Sequence, residues 1–246
     1  MGLWLPSSKF EHSELLHPGR KPSCNVKIDR TNSITDGMIL CLPFQYQNTN
    51  LARTPELCRG YDFELNTAAT TAGPDGVACD QDYAGIIRSM PNADHNNMFT
   101  NDFTMSFLWR STGDLIKGYR YFMMHTAYNT LSLYFTSTAH NIYLCGTRII
   151  ENAYEMLDGK LHLITLSKSG DLLTMYLGGE KITSTTKALS VPTGVFSIGG
   201  RTASLEKFSG GVFHAFNMFN YAVTDTDIKN FSYKLKNDPY GFLIPS

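Results

Sequence analysis

Between Phe103 and Arg110 the chain reads Phe-Thr-Met-Ser-Phe-Leu-Trp-Arg, with a large apolar residue at every second position. A period of two marks a strand with one face in a core. Phe103, Met105, Phe107 and Trp109 are therefore expected side by side in the interior. Short segments of the same kind recur at 38–44, 61–65, 83–88, 119–126, 131–135, 141–145, 173–177, 181–186, 195–198 and 211–219. Segment 160–168 is apolar on both faces, as suits a central strand covered on each side. Gly178-Gly179 supplies the positive φ that a two-residue hairpin demands. Residues 45–60, 66–76 and the Asn/Asp-rich 91–102 read as loops. Many short strands with regular turns predict an all-β, antiparallel two-sheet sandwich.

One short C-terminal helix is expected. Thr224 with Asp227 three residues on forms a capping-box pattern, and Ile228, Phe231 and Leu235 follow at helical spacing. Asp238-Pro239 should end it. The remainder divides into an extended N-terminal arm (1–35), broken by Pro6, Pro18 and Pro22, the folded domain (36–236), and a short apolar tail (237–246) that should dock.

Charge bears on partners. A net charge of −1 offers no basic surplus, so nucleic acid is not an expected partner. No apolar run is long enough for a membrane span, and the first residues lack the pattern of a secretory signal. The five cysteines, Cys24, Cys41, Cys58, Cys79 and Cys145, are odd in number and show no C-x-x-C spacing. Reduced thiols are expected, with a bridge from Cys41 to another cysteine as the alternative.

The order of segments resembles the laminin G-like, concanavalin A-like jelly roll. Asp36 to Phe44 is similar to that family's opening strand, and Asp102 to Trp109 to its central Phe-Thr strand. Asp158-Gly159-Lys160-Leu161-His162 resembles its Asp-Gly-x-Trp-His element, with Leu161 in place of Trp. Leu173 to Lys181 resembles its Asp-Gly hairpin, with Gly178 in place of Asp. Gly211 to Ile228 resembles the closing strand and helix, with His214 and Ala215 where an acidic pair is usual. The ends, His17 to Asp29 and Asn237 to Pro245, look like those of tailed-bacteriophage virion proteins carrying such a domain. The resemblance implies a virion structural protein, folded in the host cytoplasm, most concretely a capsid decoration or accessory protein. Its partners would be other virion proteins such as the major capsid protein, met through the arm and tail. A homo-oligomer on a virion symmetry axis would follow. A carbohydrate-binding module for a host surface is the alternative; a glycoside hydrolase is the third reading.

Catalysis finds little support. Glycosidases of this fold use inward-facing carboxylates on one strand, and the nearest run here, Glu151 to Glu155, lacks the middle Asp. No catalytic residue and no metal ligand is assigned. No cofactor is expected; calcium would have to draw on Asp80, Gln81, Asp82, Asp94, Asn96 and Asn97. His162 is read as a hydrogen-bonded structural histidine. The candidate binding residues, for a glycan or a protein, are Tyr119, Tyr121, Tyr128, Tyr143 and Tyr154, beside or within the loops between central strands.

Overall fold

The structure is a computed structural model. It describes residues 26–44, 53–65, 70–73, 76–79, 86–112, 120–125, 131–136, 141–151, 153–190, 194–200, 210–237 and 242–245. Two antiparallel sheets face each other. Strands are numbered in chain order. The first sheet runs β12 (Thr147–Ile150), β11 (Ile142–Leu144), β10 (Ser132–Phe135), β9 (Arg120–His125), β16 (Val195–Ile198), β7 (Ile86–Ser89), β4 (Asp62–Leu65) and β3 (Arg53–Pro55). The second runs β15 (Glu180–Thr186), β14 (Leu172–Leu177), β13 (Leu161–Ser169), β8 (Phe103–Ser111), β17 (Gly211–Phe219), β6 (Gly76–Cys79) and β5 (Thr70–Gly73). One edge of β17 pairs with β8; the other is divided between β6 and β2 (Met38–Leu42).

The two-residue periodicity of β8 has the expected result. Phe103, Met105, Phe107 and Trp109 are all fully buried between the sheets. Trp109 stands edge-on to Phe122 of the opposite sheet at 4.9 Å. Such aromatic pairs add about 1 kcal/mol to the burial itself. β13 lies between β14 and β8; Ile164 and Leu166 face the inter-sheet core, and Leu163 the outer side. At the β14–β15 turn, Leu177 is opposite Glu180, and Gly178 and Gly179 have φ of 59° and 93°. This is the positive-φ hairpin that the sequence calls for.

The outer face of the second sheet is covered by a third layer. The helix α1 (Ile228–Asn237) buries Ile228, Phe231 and Leu235 against Leu108, Leu163, Ala215 and Phe219. Its start follows the expected cap: the Asp227 amide donates to Thr224 Oγ1 at 3.2 Å, and Thr224 donates back to the Asp227 carboxylate at 2.6 Å. The same layer holds β1 (Val26–Ile28) and β18 (Leu243–Pro245), an antiparallel pair with Val26 opposite Pro245. Ile28 and Leu243 join the α1 cluster. The end of the N-terminal segment and the tail thus dock on each other and on the sandwich.

Three stretches differ from their expected form. Residues 45–60 contain β3, and 66–76 the start of the β5–β6 hairpin. Residues 91–102 are not a plain loop: Asn92–His95 forms an α-turn and Asn96–Thr100 a π-turn. Met98 and Phe99 anchor that segment in the core, and the buried Lys168 ammonium donates to the carbonyls of Thr100 and Asn101 at 2.9 and 3.2 Å. Those bonds satisfy acceptors that the end of the turn leaves over. Cys41, Cys58, Cys79 and Cys145 form no disulfide; Cys24 lies outside the described residues.

Candidate functional site

The outer face of the first sheet carries an aromatic file built by two β-bulges. In β9, Met123 is opposite Leu133 and Tyr121 is opposite Tyr134, so Phe122 is the extra residue. Phe122 and Met123 both enter the core, as a bulge allows. In β12, Ile150 is opposite Ile142 and Arg148 is opposite Tyr143, and Ile149 and Ile150 both pack against the core. The register therefore lines up Tyr121, Tyr134, Tyr143 and Arg148 on four successive strands. Leu133, Phe135, Ile142 and Leu144 beside them belong to the inter-sheet core. Hence Tyr134 and Tyr143 point the other way.

Their rings are stacked, 5.2 Å between centroids and 7° between planes. Tyr134 is buried and Tyr143 is half-buried. Arg148 is exposed and pairs with Glu151 at 2.6 Å. The β11–β12 turn holds this arrangement in place. Cys145 and Gly146 have φ of 50° and 81°, and the Cys145 amide donates to the Ser132 carbonyl at 2.8 Å. A half-exposed tyrosine beside a guanidinium can take the apolar face of a sugar, or a planar group of a protein, together with an acceptor.

Of the five tyrosines expected to bind, Tyr143 is the one whose side chain the structure describes, and it lies mid-strand rather than in a loop. Tyr121 is in β9 and Tyr154 in the 3-10 turn Tyr154–Leu157, each with its side chain outside the described residues. Tyr119 and Tyr128 lie outside the described residues altogether. Tyr134 was not singled out from sequence, although its alternation with Leu133 and Phe135 carries the signal.

The acidic groups are engaged individually. Glu151 follows β12 and Glu155 lies in the 3-10 turn, so the two do not share a strand face. Asp158 accepts from the Lys160 amide and from His162 Nε2, each at 2.8 Å. The Lys160 amide, then His162, hold its carboxyl well below the usual carboxylate range. His162 has the hydrogen-bonded place expected for it. Asp94, a calcium candidate, has Arg59 on Oδ1 at 2.7 Å and the Tyr61 hydroxyl on Oδ2. It ties the β3–β4 hairpin to the helical turn. Asp80, Gln81 and Asp82 lie outside the described residues. Among the described residues no three His, Cys, Asp or Glu converge as a metal site, and no helix is long and apolar enough to cross a membrane. A cleft of about 300 Å³ opens between the 3-10 turn Ser33–Thr35 and α1, with Tyr221, Asp227, Asn230 and Lys234 on its walls.

No family model and no curated protein matches the chain. Solved structures do match in shape. The sialidase of Trypanosoma rangeli, in complex with sialic acid, aligns with a TM-score of 0.64 at 13% identity over 81% of this chain and 33% of its own. Its covalent-intermediate structure aligns at 0.65 and 14% identity, over 93% of this chain and 38% of its own. The binding domain of botulinum neurotoxin serotype D/C aligns at 0.59 and 14% identity, over 82% of this chain and 53% of that one. The chain therefore spans a third to a half of these proteins. At such identities the likeness establishes the sheet-rich, jelly-roll-like sandwich and nothing about activity.

Proposed function

We propose that this chain is a non-enzymatic structural module of a bacteriophage virion, a capsid decoration or accessory protein attached through its ends. The observation that carries the reading is the β1–β18 pair. It sets Val26 directly across from Pro245, so the described chain ends emerge side by side from one outer layer of the sandwich. The aromatic file lies on the opposite side of the sandwich, clear of that layer. The motifs that resemble phage virion proteins support the same reading.

The test is co-assembly with phage virion proteins, the major capsid protein first. A chain lacking residues 1–25 keeps β1 and should fold normally by circular dichroism, yet fail to copurify with particles. Normal incorporation of that chain would sink the proposal. A longer deletion, through residue 30, would remove β1 and confuse loss of attachment with loss of the β1–β18 pair.

Tyr143 and Arg148 favour a second reading, recognition of a surface glycan by the outer face of the first sheet. The shape neighbours, a sialidase and a toxin's binding domain, are consistent with it. Tyr143→Ala should weaken glycan binding by about five- to thirtyfold, since an aromatic–sugar stack contributes on the order of 1–2 kcal/mol. An array on which the unaltered chain retains no glycan would end this reading.

A further inference from the structure

The outer face of the second sheet carries polar side chains in two rows, and the rows differ. In the first, Thr104 and Ser167 are opposite one another on β8 and β13. Both are satisfied by the segment that leads into α1: Thr104 Oγ1 donates to the Tyr221 carbonyl at 2.7 Å and accepts from the Val223 amide at 2.8 Å. Ser167 Oγ donates to the Val223 carbonyl at 3.1 Å.

The second row lies two residues further along each strand. Thr165 is opposite Ser106, and Ser106 is opposite Asn217 of β17. Each is at least 96% buried, with exposures of 1%, 1% and 4%. Thr165 Oγ1, Ser106 Oγ and Asn217 Oδ1 have no hydrogen-bond partner in the protein. The strands continue the row into Tyr176 on one side and Cys41 on the other. Leu163, Leu108 and Ala215 border it along the strands, and these residues share one apolar cluster with Ile228, Phe231 and Leu235 of α1. Polar atoms are thus enclosed in an apolar rim under a helix.

We infer that this row is an internal hydration site, in which ordered water bridges Thr165, Ser106 and Asn217 between the sheet and α1. Thr104 and Ser167 approach each other to 3.5 Å, whereas none of the three atoms of the second row has a neighbour within hydrogen-bond distance. With opposed Cβ atoms about 5 Å apart, a shared water can reach all of them. The chemistry is complementary. Asn217 Oδ1 accepts only, whereas the two hydroxyls both donate and accept. A buried water needs two to four polar partners, and the row offers three. Leaving all three unpaired would cost several kcal/mol in a domain of ordinary, marginal stability. The third layer therefore rests on a wet seam at its centre and dry contacts at its rim.

Thr165→Val decides between a wet and a dry row by the sign of its effect. The two side chains have nearly the same shape. If water is bound, the substitution removes one of its partners, and the folding equilibrium constant should fall roughly tenfold. If the row is dry, the substitution removes an unpaired buried hydroxyl, and the constant should rise or stay level, which would overturn the inference. Water-oxygen magnetic relaxation dispersion gives an independent reading on the folded protein. It should detect at least one long-lived water in the unaltered chain and one fewer in the double variant Ser106→Ala/Thr165→Val. An equal count in both would also overturn it.

Discussion

Replacing Gly211 by alanine is expected to destabilise the domain by about 3 kcal/mol, the upper range for overpacking a core. Gly211 opens β17 where that strand is held on both edges, opposite Ser111 of β8 and Cys79 of β6. A methyl group there would be driven into the Arg110 carbonyl oxygen and the Trp109 indole nitrogen, with Trp109 Cε2 only 2.7 Å away. Neither obstacle can retreat. The carbonyl belongs to the central strand β8, and the indole is wedged against Phe122 at the middle of the core. The strands must part, and Trp109 with the Phe122 ring against it must repack. Gly60→Ala is the control. A methyl there meets nothing within 4 Å, and only its φ of 73° resists, so about 1 kcal/mol is expected. Urea denaturation of the two variants compares them directly. Equal losses would show that space at Gly211 is not what limits the position.

Glu56→Ala should cost a similar amount, about 3 kcal/mol, by a different route. The Glu56 carboxylate is 2% exposed and accepts three backbone amides: Cys41 at 2.8 Å and Cys58 at 2.6 Å on Oε1, and Arg59 at 2.7 Å on Oε2. It joins β2 to the turn after β3. With alanine the Cys41 amide stays buried with no acceptor, which carries most of the penalty. Burial, with the neighbouring Glu56 charge next, pushes the Cys58 thiol up to about 12, against an ordinary 9.0. Two results follow. A folded-state value above the unfolded one means that this contribution to stability is intact below pH 9 and is lost as pH rises from about 9 towards 12. Glu56→Gln removes the charge, so alkylation of Cys58 at pH 9 should accelerate. An unchanged alkylation rate, followed by mass spectrometry, would show that Glu56 does not govern that thiol.

The two-sheet architecture could be read in advance wherever a side-chain period was intact. Phe103 to Trp109 and Leu173 to Leu177 alternate cleanly, and Gly178-Gly179 and Thr224 with Asp227 mark their turn and cap by local chemistry. What escaped depends on distant partners. Residues 92–100 hold two large apolar residues, Met98 and Phe99, too few to reveal a helical period, and the turn is held by Lys168 from another strand. Glu56 looked like a loop carboxylate because its clients include Cys41, on a strand before it. Thr104 and Ser106 alternate with apolar residues as a solvated face would, yet both are buried, and the segment leading into α1 bonds to Thr104. Segment 160–168, apolar on both faces, did read as covered on each side. In the candidate site, Tyr143 was identifiable by residue type. The bulges that align it with Tyr134 and Arg148 were not, because a bulge leaves no period of its own.

The β1–β18 pair also determines how this domain would answer to force. Val26 and Pro245 lie at the same end of that ladder, so tension applied through the two chain ends would pull the strands apart sideways. Their bonds would then break one after another, as in a zipper, instead of being sheared together. The ladder has three residue pairs, and the Asp29 amide, 2.7 Å from the Phe242 carbonyl, is the next bond in line. A tether gripped at both ends would therefore yield first in this outer layer, at low load. The long strands β8, β13 and β17 would bear tension only after it had peeled away.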